Sequence, residues 1–423
     1  MRRLICADRL LVDADGEMIG RGGVLIEDEL IVEAGRLSDL DVDSAVDKID
    51  LGNATLLPGL FDCHVHLAFD PDSGTTSTKI ELSDEETLDL MRANATRLLD
   101  AGITTARDLG SPGTLANIVR DEIDAGVIRG PRLQVAHAPL TVPGGHAHAM
   151  GGEVKGVDEI RSAVRQRAEQ GADVIKVMAT GGFMTAGTHP WQARFTVEEM
   201  RAAVEEAHKC GLLTTTHALG VEGISRAVEA GFDAIEHCGW VVENGTKFDE
   251  RIASEIVRKG IYVSPTMNSA CMREHYFCPW DTYESVLSNL KSMREADIEV
   301  IAGTDAGIGL VRFERFVDCL EVLSEAGFGT RALLASATST AAAATGLSAQ
   351  TGALRAGLRA DVVGVRGNPL SDWRALGRIK FVMANGVPYD PRPISPFAGD
   401  EGELKRIQTT LAQGAGRKTK EHR

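Results

Sequence analysis

The segment PGLFDCHVHL places His64 and His66 two residues apart. On a strand such residues share a face, and two imidazoles on one face can hold a metal ion. Leu60, Phe61 and Val65 make the segment too apolar for a strand that faces solvent, which disfavours two merely exposed polar residues. Later segments carry further candidate ligands. Lys176 lies inside VIKVMA. An unpaired buried amine is costly, and burial lowers its pKa. A neutral amine reacts with carbon dioxide to give a carbamate, an anion whose two oxygens could bridge two metals. A lysine paired with a carboxylate is the alternative. His217 ends TTTH and His237 ends AIEH, and each alone is as readily a satisfied core histidine. Asp305, in AGTDAG, could alone be a helix cap.

These residues need elements to position them. From about residue 58, short apolar strands alternate with helices. Candidate strands are 60–66, 104–110, 132–138, 174–180, 213–218, 234–238, 261–266 and 299–306. Helices fit between them, among them DEETLDLMRANATRLLDAG, VDEIRSAVRQRAEQG, VEEMRAAVEEAHKCG and VEGISRAVEAG, each ending in the glycine common at helix C-termini. Eight strands alternating with helices predict an α/β fold, a (β/α)8 TIM barrel over 58–345. Residues 1–57 read as short strands and turns, and TGALRAGLRADVVGVRGNPL as strands again. The expectation is a small β-sandwich domain built from both termini, 1–57 and 346–390. A C-terminal tail, 391–423, opens Pro-rich, closes basic, and is expected to be poorly ordered at its end.

The order of the ligands narrows the alternatives. His-x-His falls on strand one, Lys176 on strand four, His217 on five, His237 on six and Asp305 on eight, all at or near C-terminal ends, where barrel active sites are built. In this the chain resembles the amidohydrolase superfamily, its members with two metals bridged by a carboxylated lysine, and most nearly the prolidase-like and imidazolonepropionase-like branch. The resemblance covers nearly the whole chain, and no ligand position departs from the pattern. It implies that His64, His66 and Asp305 hold the more buried metal and His217 and His237 the more exposed one, with carboxylated Lys176 and a hydroxide as bridges. Two cations lower the pKa of a bridging water, so hydroxide exists near neutral pH. Asp305 would take its proton and give it to the leaving nitrogen. Zinc is the default ion, with manganese, cobalt or iron as alternatives.

The Gly-rich TVPGGHAHAM after strand three carries His146 and His148. The resemblance implies that His146 helps polarise the substrate carbonyl, against the alternative of a flexible surface loop. After strand four, GGFMTAGTHPWQARF carries His189, Trp191 and Arg194, and Trp240 follows His237 by three residues. Arg194 could grip a substrate carboxylate bidentately or be a surface charge. Trp240 stands where some relatives place a substrate-contacting Tyr, which leaves a dipeptide substrate less secure. The expected activity is hydrolysis of an amide C–N bond in a small molecule, an N-acyl amino acid or Xaa-Pro/dipeptide-like compound, including aromatic amides of the ochratoxin-like mycotoxin kind. Hydrolysis of a cyclic amide, urea or carbamate is the alternative, and a non-catalytic metal-binding scaffold the reading from another class.

Composition limits the rest. The 423 residues are 43% hydrophobic and 25% charged, an ordinary globular balance. A net charge of −16 repels nucleic acid and anionic membranes, so neither is expected as a partner. The apolar run of MRRLICADRLLVDADGE is broken by Asp8, Arg9 and Asp13, unlike a signal peptide. Seven scattered cysteines suggest reduced thiols and a cytoplasmic address. Cys63 and Cys238, each beside a His of interest, are expected to pack away from it, since neighbours on a strand face opposite ways. A homo-oligomer is expected, as symmetric assemblies are common for such enzymes.

Overall fold

The structure, a computed structural model, describes residues 2–43, 46–72, 80–272 and 282–393. The first strands follow the loose alternation of apolar and polar residues: β1 (Arg2–Leu10), β2 (Ile19–Glu27), β3 (Leu30–Arg36), β4 (Asp47–Asp50) and β5 (Thr55–Pro58). They form one mixed eight-stranded sheet with β14 (Val362–Val365), β15 (Ile379–Ala384) and β16 (Val387–Tyr389). The two ends of the chain meet where β14 pairs antiparallel with β5, Val363 opposite Leu57. Ile5, Val24, Leu56, Val362 and Met383 share one buried cluster, so both termini supply its apolar contacts.

Between the termini, strands and helices alternate. They are β6 (Leu60–Val65), α1 (Asp84–Asp100), β7 (Ile103–Asp108), α2 (Leu115–Asp124), β8 (Arg132–Val135), α3 (Gly156–Glu169), β9 (Val174–Met178), α4 (Val197–Lys209), β10 (Leu213–Gly220), α5 (Val221–Ala230), β11 (Ala234–Val242), β12 (Gly245–Thr246), α6 (Glu250–Lys259), β13 (Tyr262–Ser264) and α7 (Tyr283–Glu295), followed by α8 (Val317–Glu325), α9 (Thr330–Ser336) and α10 (Ser339–Ala344). The helices start where the sequence supplies caps. Ser83 with Glu86, and Thr196 with Glu199, make reciprocal capping boxes that satisfy otherwise orphaned backbone donors of α1 and α4. Gly231 ends α5 with φ at +89°, which a Cβ would disfavour.

Strands β6, β7 and β8 pair in parallel, as do β9, β10, β11 and β13. Single parallel bridges extend these pairings: Leu140 with Val177, Val263 with Val300, and Val65 with Ala306. The expected strand over 299–306 is reduced to bridges at Val300 and Ala306, because the Gly303 to Asp305 stretch turns away from extended backbone, with φ at +61° at Asp305. A large apolar cluster packs α1 to α8 against these strands. Among the described residues no helix is long and apolar enough to cross a membrane. The expected tail lies outside the described residues from 394 onward.

Candidate metal centre

The C-terminal ends of the parallel strands bring the candidate ligands together. His64 and His66 come from β6 and the residue after it, Lys176 from β9, His217 from β10, His237 from β11, and Asp305 from the turn after the Val300 bridge. All six line one pocket. Ring centroids lie 5.2 Å apart for His64 and His66, 5.2 Å for His64 and His237, and 4.5 Å for His217 and His237.

Hydrogen bonds settle which nitrogen of each ring is free. His64 Nδ1 donates to Glu236 Oε2 at 2.8 Å, and His66 Nδ1 to the Gly110 carbonyl at 3.1 Å. His217 Nε2 donates to the Gly181 carbonyl at 3.0 Å. His237 Nδ1 donates to Thr266 Oγ1 at 2.7 Å, since the Thr266 hydroxyl is itself given to the Pro265 carbonyl. In a neutral imidazole the remaining nitrogen carries a lone pair. Burial drives His64, His217 and His237 well below the ordinary histidine range, so they are neutral. His66 differs: burial pushes it down, but its contact with Asp305 outweighs that and lifts it.

The lone-pair atoms converge. His64 Nε2 is 3.3 Å from His66 Nε2, and Asp305 Oδ1 is 3.4 Å from the first and 3.2 Å from the second. Ligand atoms of His64, His237 and Asp305 also lie within 4.8 Å of one another. Two overlapping sets therefore share His64 and Asp305. Acceptors packed this closely in a buried site repel unless a cation, or a proton on His66 held toward Asp305, lies among them. Neutral imidazoles and a carboxylate are a donor set that suits a divalent transition metal. Lys176 is 1% exposed, and burial lowers its amine to about 8. Among the described residues it forms no ion pair with a carboxylate, the alternative that the sequence leaves open.

His146 joins the site. Its ring is 4.6 Å from that of His217, and Nδ1 is 2.9 Å from Thr185 Oγ1. Burial lowers it to about 4, so it is neutral at ordinary pH. His148 turns back to the Gly145 carbonyl, and His189 is exposed and stacked on Trp191. Arg194 is not brought here: it is exposed and lines a separate cleft with Val142, Gln192 and Arg226. Trp240 is fully buried with its ring on Phe248, beneath the pocket wall rather than in it. From the 181–195 loop it is Phe183 and Met184, rather than Arg194, that line the pocket, and Trp240 does not line it.

Other wall residues went unread in the sequence. Met150, Met178, Met267 and Met293 make much of the lining apolar and adaptable. Cys238 lines the pocket too, against the expectation from alternation. His237 and Cys238 have φ of +68° and +47°, so the end of β11 leaves the two-residue alternation, and neighbours reach the same side. Cys63 does pack away, against Phe61 and Ile301. Glu236, inside AIEHC, was open to the reasoning used for Lys176, a charged group in an apolar run.

Comparison with known proteins places the chain in a family. The family model described as the amidohydrolase family matches residues 55–388. An ochratoxinase of Aspergillus niger is 27% identical over 436 residues, 92% of this chain and 87% of that protein. A crystal structure of a Xaa-Pro dipeptidase with methionine bound in its active site superposes with a TM-score of 0.82 at 28% identity, covering 92% of this chain and all of that one. The crystal structure of the A. niger ochratoxinase gives 0.77 at 25% identity, covering 93% and 97%.

Proposed function

The chain belongs to the amidohydrolase family, and from that premise we propose that it hydrolyses the amide bond of a small molecule with two divalent ions held by His64, His66, Lys176, His217, His237 and Asp305. One observation carries the reading: three acceptor atoms, His64 Nε2, His66 Nε2 and Asp305 Oδ1, meet within 3.2 to 3.4 Å of one another while the opposite ring nitrogens are already engaged. A divalent cation among them would satisfy all three atoms at once in a buried site. The residues fit the two-ion pattern of the family, with carboxylated Lys176 as the bridge and zinc as the ion. Bound divalent ions supply a water of lowered pKa and positive charge beside the reacting carbonyl.

The chain's own groups do the rest. Asp305, beside His64 and His66, accepts the proton of the attacking water and passes it to the leaving nitrogen. His146, neutral and with Nδ1 against Thr185 Oγ1, presents Nε2 to the carbonyl oxygen. The apolar wall of Phe69, Phe183, Leu219, Leu290 and the methionines excludes water and suits an apolar acyl or amine portion. That favours an N-acyl amino acid or Xaa-Pro/dipeptide-like compound with a bulky apolar group, including aromatic amides such as ochratoxin-like ones. The cyclic amide, urea or carbamate reading uses the same centre.

This reading carries a fold with it: a (β/α)8 barrel over 58–345 and a β-sandwich of 1–57 with 346–390. The parallel bridges Leu140 to Val177, Val263 to Val300 and Val65 to Ala306 support closure of the strands into a ring. The pairing of β5 with β14 supports the composite second domain. A cytoplasmic homo-oligomer without nucleic-acid or membrane partners accompanies it.

A panel of N-acyl amino acids, dipeptides, aromatic anilides, cyclic amides, ureas and carbamates, offered to zinc-loaded protein, tests the activity. The expected result is hydrolysis of N-acyl amino acids or aromatic amides that a chelator abolishes. Two bound ions with no member of the panel cleaved would favour the scaffold reading.

A further inference from the structure

Beneath the pocket lies a buried network of charged and polar groups drawn from four strands. Glu236 of β11 and Arg107 of β7 are 0% and 2% exposed. Arg107 Nη2 donates to Glu236 Oε1 at 2.8 Å, and the Thr215 hydroxyl of β10 donates to the same oxygen. Arg107 Nε donates to the Cys63 carbonyl at 2.9 Å, just ahead of His64 on β6. Oε1 therefore has two donors. Among the described residues, Oε2 has a single partner, the Nδ1–H of His64 at 2.8 Å.

We infer that Glu236, oriented by Arg107 and Thr215, is a positioning residue that fixes the tautomer and direction of His64 so that Nε2 is delivered to the metal centre. This rests on the two-ion reading above. The physical case has three parts. A carboxylate that accepts from one imidazole nitrogen holds the proton there and leaves the lone pair on the other, raising its strength as a ligand. The carboxylate also neutralises the Arg107 guanidinium, a cation that would otherwise repel metal ions from a nearby buried site. Finally, the pair is a poor choice for stability alone. Buried Arg–Glu pairs replaced by apolar side chains of similar volume are often as stable or more so. An oxygen reserved for one ligand histidine gives the pair a reason beyond folding.

The test compares wild type, Glu236→Gln and the double variant R107M/E236L. Each is stripped of metal, then titrated with zinc against a fluorescent chelator, and unfolded in urea. The double variant removes both charges at once, so it leaves no unpaired ion behind. The expected result is a loss of about 10- to 100-fold in affinity for one of the two ions, the other retained, with the unfolding midpoint of the double variant close to wild type. A purely structural pair would move the midpoint and leave zinc affinity alone. Two ions bound by wild type, and bound within twofold as tightly by Glu236→Gln, would overturn the inference. Wild type that binds no zinc would instead overturn the two-ion reading and this inference with it. If the double variant does not fold, Glu236→Gln decides alone.

Discussion

Replacing Lys176 by Met keeps an unbranched apolar side chain, one atom shorter, and removes its amine. Burial lowers that amine from 10.5 to about 8. That lowering corresponds to about 3 kcal/mol. Its sign follows from proton counting. Between about pH 8 and 10.5 the native chain holds fewer protons at this site than the unfolded chain, so stability of the metal-free protein rises with pH across that window. Below it the penalty is present in full. Metal-free Lys176→Met should therefore be more stable than metal-free wild type at pH 7, by up to about 3 kcal/mol, and the advantage should shrink as pH passes 8. Near pH 7.5 the same shift leaves roughly 300-fold more free amine than an ordinary lysine would have, which is the form that takes up carbon dioxide. The variant has no such amine, so it should bind no more than one ion and lose turnover by orders of magnitude. Urea unfolding of chelator-treated protein at pH 7 and 9.5, with metal analysis of the reloaded protein, measures both halves. A metal-free variant less stable than wild type at pH 7, or a variant holding two ions at wild-type affinity, would refute the reasoning.

Other perturbations probe separate parts of the site. Asp305→Asn should cut turnover by about 10²- to 10⁴-fold while part of the metal is kept; near-normal turnover would remove Asp305 from proton transfer. His146→Asn should lower turnover by about 10²-fold with two ions still bound, and unchanged kinetics would free His146 of any role at the carbonyl. A Cβ at Gly182 would come within 2.5 Å of the His146 ring, so Gly182→Ala should reproduce the loss in milder form, with the same metal content and unfolding curve. His137 is buried with Nδ1 unpartnered among the described residues and Nε2 against Asn117, and burial lowers it to about 4. The native ring resists protonation while the unfolded one accepts it, so this site supports stability above about pH 6.5, a contribution lost as pH falls toward 4. His137→Gln should flatten that part of the curve in thermal melts from pH 7 to 4; an unchanged slope would exclude His137 as its source.

Strand-end ligands were legible because their signal is local. His64 and His66 share a face by simple alternation, and a lysine inside VIKVMA announces itself against its apolar neighbours. The helices with glycine stops were equally plain. What alternation hid lies where the backbone leaves it. At His237 and Cys238 positive φ brings adjacent residues to one pocket, so Cys238 lines a site that alternation would deny to it, while Glu236 meets the site only from beneath, through His64. Asp305 sits on a turn rather than the strand expected for it, though in the expected place. Arg194 was chosen by chemistry on a loop, where direction depends on tertiary packing that residue spacing does not encode, and Trp240 lies on the irregular end of β11, where φ is +54°. The methionines of the wall come from separate segments, and only the closed fold reveals that they line one surface.

The central claim is that hydrolysis depends on ions held by these six residues. It is tested most directly by stripping the protein of metal and adding zinc in measured fractions while following hydrolysis of an N-acyl amino acid or aromatic amide. The account predicts no activity without metal, and a rise that levels off at two ions per chain. Activity that persists after complete metal removal, or full activity with His64 and His66 both replaced, would contradict it.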